Sequence, residues 1–169
     1  VQSNGTKYTI VNNVIYDISS DNNKTTAGTF TPFGICIRGG DSAKIYFNSV
    51  NIYGEPPFPC NGGTRSAALA IMGNSNTNMD IRNNSFSNSF EGIIGSESYS
   101  IYTENASSSF YNNNNNNYYS SGPYAIFGYL GIMKLNLQEW QEATGMDQNS
   151  SSYPPLYTAD DNLFPLYSS

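Results

Sequence analysis

No histidine occurs among the 169 residues, which excludes triads built on an imidazole base and metal sites built on imidazole ligands. Carboxylates are the acid–base chemistry that remains, and glycoside hydrolysis needs two of them held roughly 5–10 Å apart. Asp160 and Asp161 are neighbours in an apparent tail, Glu139 and Glu142 share a helix, and Asp41, Glu91 and Glu97 stand near predicted turns. Nothing in their spacing brings two of them together, and most charged side chains are solvated surface. No catalytic residue and no ligand-binding residue is assigned. Two cysteines, Cys36 and Cys60, are too few for a structural zinc site. A disulfide between them would close a loop of about 25 residues and contribute roughly 3 kcal/mol; two separate thiols are the alternative, because sequence does not fix pairing geometry.

The totals narrow the class. Twenty-four asparagines and 34 serines and threonines set against only 20 charged residues are unlike a cytosolic enzyme, and 14 tyrosines with 9 phenylalanines are too many for disorder. A formal charge of −6 argues against a nucleic-acid partner, since phosphate binding needs clustered Lys and Arg. No apolar run approaches the ~20 residues of a membrane span, so no membrane insertion is expected.

The elements that must position any chemistry recur. Residues 45–50 read apolar-x-x-Asn-x-apolar, with Ile45, Asn48 and Val50. The pattern returns in residues 10–15 (Ile10, Asn13, Ile15) and 81–86 (Ile81, Asn84, Phe86), and more weakly at 102–107, where Asn105 is followed by a serine in the last apolar slot. Asn13, Asn48, Asn84 and Asn105 are separated by 35, 36 and 21 residues. Self-similarity at a near-fixed spacing with variable insertions marks a stacked solenoid. Between the copies, Gly34-Ile35-Cys36-Ile37 and residues 67–72 alternate as strands, with Ile35 and Ile37 inward and Cys36 outward. Residues 55–65, with three prolines and two adjacent glycines, form a loop. Stacked coils lie about 4.8 Å apart, so equivalent asparagines form a ladder, their amides donating and accepting along it.

Residues 136–145 are the one convincing helix. Asn136 is the N-cap, Glu139 three residues on completes a capping box, and Gly145 stops the helix. Leu137, Trp140 and Thr144 share a face, so Leu137 and Trp140 are expected to pack against the column. The chain divides into repeat coils (1–134), a helix and loop insertion (135–152), and an extended tail or final coil (153–169), all within one domain.

Residues 7–127 resemble the right-handed parallel β-helix repeats of the pectate-lyase-like superfamily, whose coils read Gly-Ile-x-Ile and then Ile-x-x-Asn-x-Ile. Residues 135–167 are similar to a segment of large secreted bacterial β-helix proteins: a Trp-containing helix, Thr144-Gly145-Met146-Asp147, Asn149-Ser150, a Pro-aromatic stretch and a further coil. The resemblance implies an all-β, right-handed parallel β-helix solenoid of about four to five coils with one short helix near the C-terminus. Chains of this kind normally continue past the position of residues 166–169, so a piece of a longer surface protein is expected. Polysaccharide lyases of the superfamily use a basic residue near a Ca²⁺-binding acidic cluster. The candidates here are Arg38, Lys44, Arg65 and Arg82, without an acidic cluster beside them, so no cofactor is assigned and Ca²⁺ lacks a ligand set.

The expectation is a non-catalytic structural or adhesive segment of an extracellular or cell-surface protein or filament, with self-association through exposed end coils. The alternative is a lyase, hydrolase or glycan-binding β-helix acting on an acidic polysaccharide.

Overall fold

A computed structural model describes residues 7–18, 30–55, 63–73 and 75–165. The chain is mostly β, with a single α-helix, Leu137–Thr144, among the described residues. Three sheets carry the architecture. The first joins Thr9–Val11, Lys44–Tyr46, Met79–Arg82 and Phe110–Asn114, all parallel. The second joins Val14–Ile15, Ser49–Ile52, Ser85–Asn88 and Asn117–Ser120, again all parallel. In the third, Phe30–Ile37, Arg65–Ile71, Glu97–Thr103 and Ala125–Leu130 are parallel, and Ile132–Lys134 adds an antiparallel edge.

Register follows the inward rows. Ile10, Ile45, Ile81 and Asn113 are aligned across the first sheet. Ile15, Val50, Phe86 and Tyr118 are aligned across the second, and Ile35, Leu69, Ile101 and Gly128 across the third. A slip of one residue would turn each apolar row to the opposite face, so burial of these rows fixes the pairing. Ile37, Ile45, Val50, Ile52, Leu69, Ile71, Ile81, Phe86 and Ile101 are fully buried in one cluster. Ile35 belongs to the same cluster, while Cys36, one residue on, lies on the opposite face of its strand beside Ala70 and Tyr102.

The helix begins and ends where its caps dictate. Asn136 Oδ1 accepts the Glu139 N–H at 2.9 Å, and Gly145, at φ 70°, closes the other end by donating to the Gln141 carbonyl at 2.8 Å. The capping box itself is displaced by one residue: Glu139 Oε2 accepts from Leu135 N–H at 2.8 Å instead of from Asn136. Trp140 is fully buried and Leu137 packs against the main cluster, whereas Thr144 turns its hydroxyl back onto the Trp140 carbonyl.

The C-terminal stretch differs from an extended tail or a further coil. Tyr157–Ala159 and Asn162–Pro165 pair antiparallel as a hairpin, with Asp160 and Asp161 in its turn. It lies against the outer side of the second sheet, where Asn51 Nδ2 donates to the Asp160 carbonyl at 3.1 Å and the Ser85 and Tyr157 hydroxyls are 2.8 Å apart. Pro154 and Pro155 cannot donate to a parallel ladder, which favours this departure from the sheet.

Gly34 shows how closely the sheets approach. A Cβ at this position would lie 2.2 Å from Val50 Cγ1 and 2.6 Å from the Ala68 carbonyl oxygen. Gly34→Ala is therefore expected to destabilise the chain by about 1–3 kcal/mol through overpacking, read as a lower urea midpoint with an unchanged slope.

Candidate functional site

The polar feature that runs the length of the fold is a row of side-chain amides at the turn between the first and second sheets, exposed at Asn13 and buried at Asn48, Asn84 and Asn116. Asn13 Nδ2 donates to Asn48 Oδ1 at 2.8 Å, Asn48 Nδ2 to Asn84 Oδ1 at 2.9 Å, and Asn84 Nδ2 to Asn116 Oδ1 at 2.9 Å. Each Oδ1 also accepts the backbone N–H of the preceding rung, at 3.1, 2.9 and 3.0 Å. Each inner amide donates to main-chain carbonyls as well, Asn48 to Ile10 and Asn84 to Ile45. The residue before each rung is in the left-handed region: Asn12 (φ 57°), Phe47 (54°), Asn83 (59°) and Asn115 (56°). Asparagine adopts that conformation readily, and the turn it makes aims the next side chain inward.

Asn105, assigned to the ladder from its sequence pattern, occupies no rung. It follows Glu97–Thr103 of the third sheet, and its Nδ2 donates to the Ile71 carbonyl and to Thr103 Oγ1, each at 3.3 Å. The fourth rung is Asn116, 32 residues after Asn84. Its copy of the motif is concealed inside the run of six asparagines, because Asn113 replaces the first apolar residue and Tyr118 takes the last apolar slot. Asn113 is buried there and accepts from Asn116 Nδ2 and the Tyr118 hydroxyl, each at 3.0 Å.

The ladder ends on a different chemistry. Ser150 Oγ accepts the Asn116 backbone N–H at 2.9 Å, the position an amide oxygen fills elsewhere. Asp147, fully buried and at φ 60°, accepts from Asn116 Nδ2 at 3.3 Å, from Trp140 Nε1 at 2.8 Å and from the Ser150 hydroxyl. Trp140 in turn meets Phe110, Tyr118 and Phe127, with ring centroids 6.1, 6.3 and 6.4 Å away. Thr144-Gly145-Met146-Asp147 thus supplies the anchor that closes the core.

The remaining sequence candidates are held apart. Arg65 Nε donates to Glu97 Oε2 at 2.6 Å, and the same oxygen accepts from the Tyr99 hydroxyl at 2.8 Å. Arg82 grips Asp80 through Nε at 2.6 Å and Nη2 at 2.9 Å, with its Cζ 5.0 Å from the centroid of the Tyr46 ring. A guanidinium so paired is neither a base nor an unoccupied anion site. Asp41 accepts from Thr77 Oγ1 at 2.7 Å and Asn78 Nδ2 at 2.8 Å, which holds its carboxyl below the usual range. Among the described residues no group of three or more His, Cys, Asp or Glu side chains is placed to hold a metal ion. Likewise, none of the described helices is long and apolar enough to cross a membrane. Cys60 lies outside the described residues, and with it the pairing with Cys36; Cys36 Sγ stands 3.9 Å from Met72 Sδ.

Surface depressions accompany these elements. A trough of about 460 Å³ follows the ladder past Asn83, Asn115 and Asn149. A cleft of about 420 Å³ separates the second sheet from the hairpin. A third, of about 380 Å³, lies on the first sheet beside Lys7, Lys44 and Tyr111. Sequence reasoning missed the hairpin cleft, which joins residues as distant as Asn51 and Asp160. Comparison with family models, curated proteins and solved structures finds no match to the chain.

Burial raises the pKa of Asp147 above the ordinary carboxylate value of 3.8, against hydrogen bonds from Ser150, Trp140 and Asn116 that favour the ionised form. A carboxyl with a folded pKa above its unfolded one stabilises most below the unfolded value. That contribution is lost as pH rises through the folded value. A ¹³C-detected titration is expected to place Asp147 above 3.8, and Asp147→Asn to remove this fall from the curve of stability against pH.

Proposed function

We propose that the three sheets are the walls of a right-handed parallel β-helix of about four to five coils, and that the chain is a non-catalytic structural or adhesive segment of an extracellular surface protein. The near-constant spacing of the rungs and the right-handed preference of parallel crossovers support the first part. The carrying observation for the second is where the reactive side chains go. Asparagine amides bind one another, and Arg65, Arg82, Glu97 and Asp80 are paired within the sheets. These side chains hold the stack, and an Asn-, Ser- and Tyr-rich exterior suits contact with other molecules more than turnover of them.

The two ends of the stack are unequal. At one end the third sheet is covered by Ile132–Lys134 and the core by Trp140, while main-chain groups of Asn113, Asn116 and Tyr118 pair with residues 147–151. At the other, Thr9–Val11, Val14–Ile15 and Phe30–Ile37 are the outermost strands of their sheets among the described residues. Covered edges do not template further strands. Self-association is therefore assigned to the end carrying Thr9–Val11 and not to the covered one.

Sedimentation and negative-stain imaging are expected to show monomers or pairs, and beads coated with the chain to adhere to epithelial or yeast cell surfaces. Polygalacturonate should remain uncleaved. Fibres would contradict the closed end, and release of unsaturated or reducing ends would contradict the non-catalytic reading.

A further inference from the structure

The cleft beneath the hairpin has a composition unlike the trough beside the ladder and the depression on the first sheet. One wall is the outer face of the second sheet, with Asn51, Ser87 and Tyr119, and the other carries Pro155, Tyr157 and Asp160. Its volume of about 420 Å³ falls among small-ligand sites, which span roughly 300–1,000 Å³. Ser87 is only 4% exposed, yet its hydroxyl has no hydrogen-bond partner among the described residues and it lines the cleft. That hydroxyl is open to the cleft and can donate to and accept from a molecule that enters beside it. The Asn51 amide nitrogen is taken by the Asp160 carbonyl at 3.1 Å, which leaves Asn51 Oδ1 as an acceptor. The Tyr157 ring is fixed by its hydroxyl contact with Ser85 at 2.8 Å.

Charge decides the ligand class. Among the described residues neither Lys nor Arg lines this cleft and the one carboxylate is Asp160, so an anionic ligand gains nothing from them. Lys7 and Lys44 belong instead to the depression on the first sheet. Two tyrosines and two prolines offer flat apolar faces, and serine, amide and carboxylate groups supply donors and acceptors around them. A molecule with one apolar face and a rim of hydroxyls matches both. We propose that the cleft between the second sheet and the hairpin binds a neutral sugar unit of a glycan, stacked on Tyr119 or Tyr157 and hydrogen-bonded to Ser87, Asn51 and Asp160. The proposal rests on the adhesive part of the reading above and names its ligand. It places that ligand away from the first-sheet lysines to which an acidic polysaccharide would go.

The test is an amide-resolved NMR titration of the full chain with cellohexaose, mannohexaose and maltohexaose, with trigalacturonic acid as the acidic probe. Each is taken to roughly 10 mM, enough to populate a millimolar site. At least one neutral oligosaccharide is expected to move the signals of Ser87, Tyr119 and Tyr157, and trigalacturonic acid to leave them in place. Tyr119→Ala, which removes no hydrogen bond of the fold, should weaken binding about tenfold or more, the effect of 1.4 kcal/mol, at an unchanged melting temperature. Ser87→Ala tests the hydroxyl separately and should also weaken binding. Silence from all three neutral sugars, shifts confined to another face, tighter binding of the acidic probe in the cleft, or full affinity in Tyr119→Ala would each overturn the proposal. Bead adhesion separates the two readings. Adhering beads with a silent cleft sink the sugar site alone, and a responsive cleft without adhesion supports the site and sinks the adhesive role.

Discussion

A buried amide must find partners for two donors and one carbonyl, or it costs about 1–3 kcal/mol. In this chain the partner of each rung is the rung beside it. Asn48 accepts from Asn13 and donates to Asn84, which donates to Asn116. The same oxygens also receive backbone N–H groups, so the ladder ties turn to turn while sheet hydrogen bonds tie strand to strand. Apolar burial fixes which face of each strand turns inward. The ladder sets where each turn sits.

Such a ladder needs an ending, because the backbone N–H of its last rung meets no further amide oxygen. Asp147 and Ser150 supply it, and the same carboxylate receives the indole N–H of Trp140, whose ring covers the aromatic layer of Phe110, Tyr118 and Phe127. Polar and apolar closure thus meet on one side chain. A carboxylate accepts from several donors at once where an asparagine would present a clashing NH₂, and desolvation of its charge is the cost.

Much of this was legible in the residues. Asn13, Asn48 and Asn84 were visible because an isoleucine precedes each by three residues and an apolar residue follows two later. The fourth rung was hidden because Asn113 stands where an apolar residue was sought, while Asn105 matched by coincidence at the end of a third-sheet strand. The surviving signal was Tyr118, two residues after Asn116, at a spacing close to that of the earlier rungs. The helix was readable from its caps, which are local. The hairpin and its cleft were not, since they join positions 109 apart in the chain, and no periodic pattern carries a tail onto a sheet face. Pairing of the charged residues was equally invisible: Arg65 meets Glu97 only because two strands are in register.

A double-mutant cycle on Asn48 and Asn84 measures the ladder most directly. Asn48→Ala, Asn84→Ala and the double variant would be unfolded in urea, with Asn84 and Asn105 as a control pair that shares no hydrogen bond. If the rungs sustain one another, each single change strands its neighbour, and the double variant loses less than the sum by about 0.5–3 kcal/mol. Additivity to within about 0.5 kcal/mol, equal to that of the control pair, would show that the amides act independently and that packing alone aligns the turns.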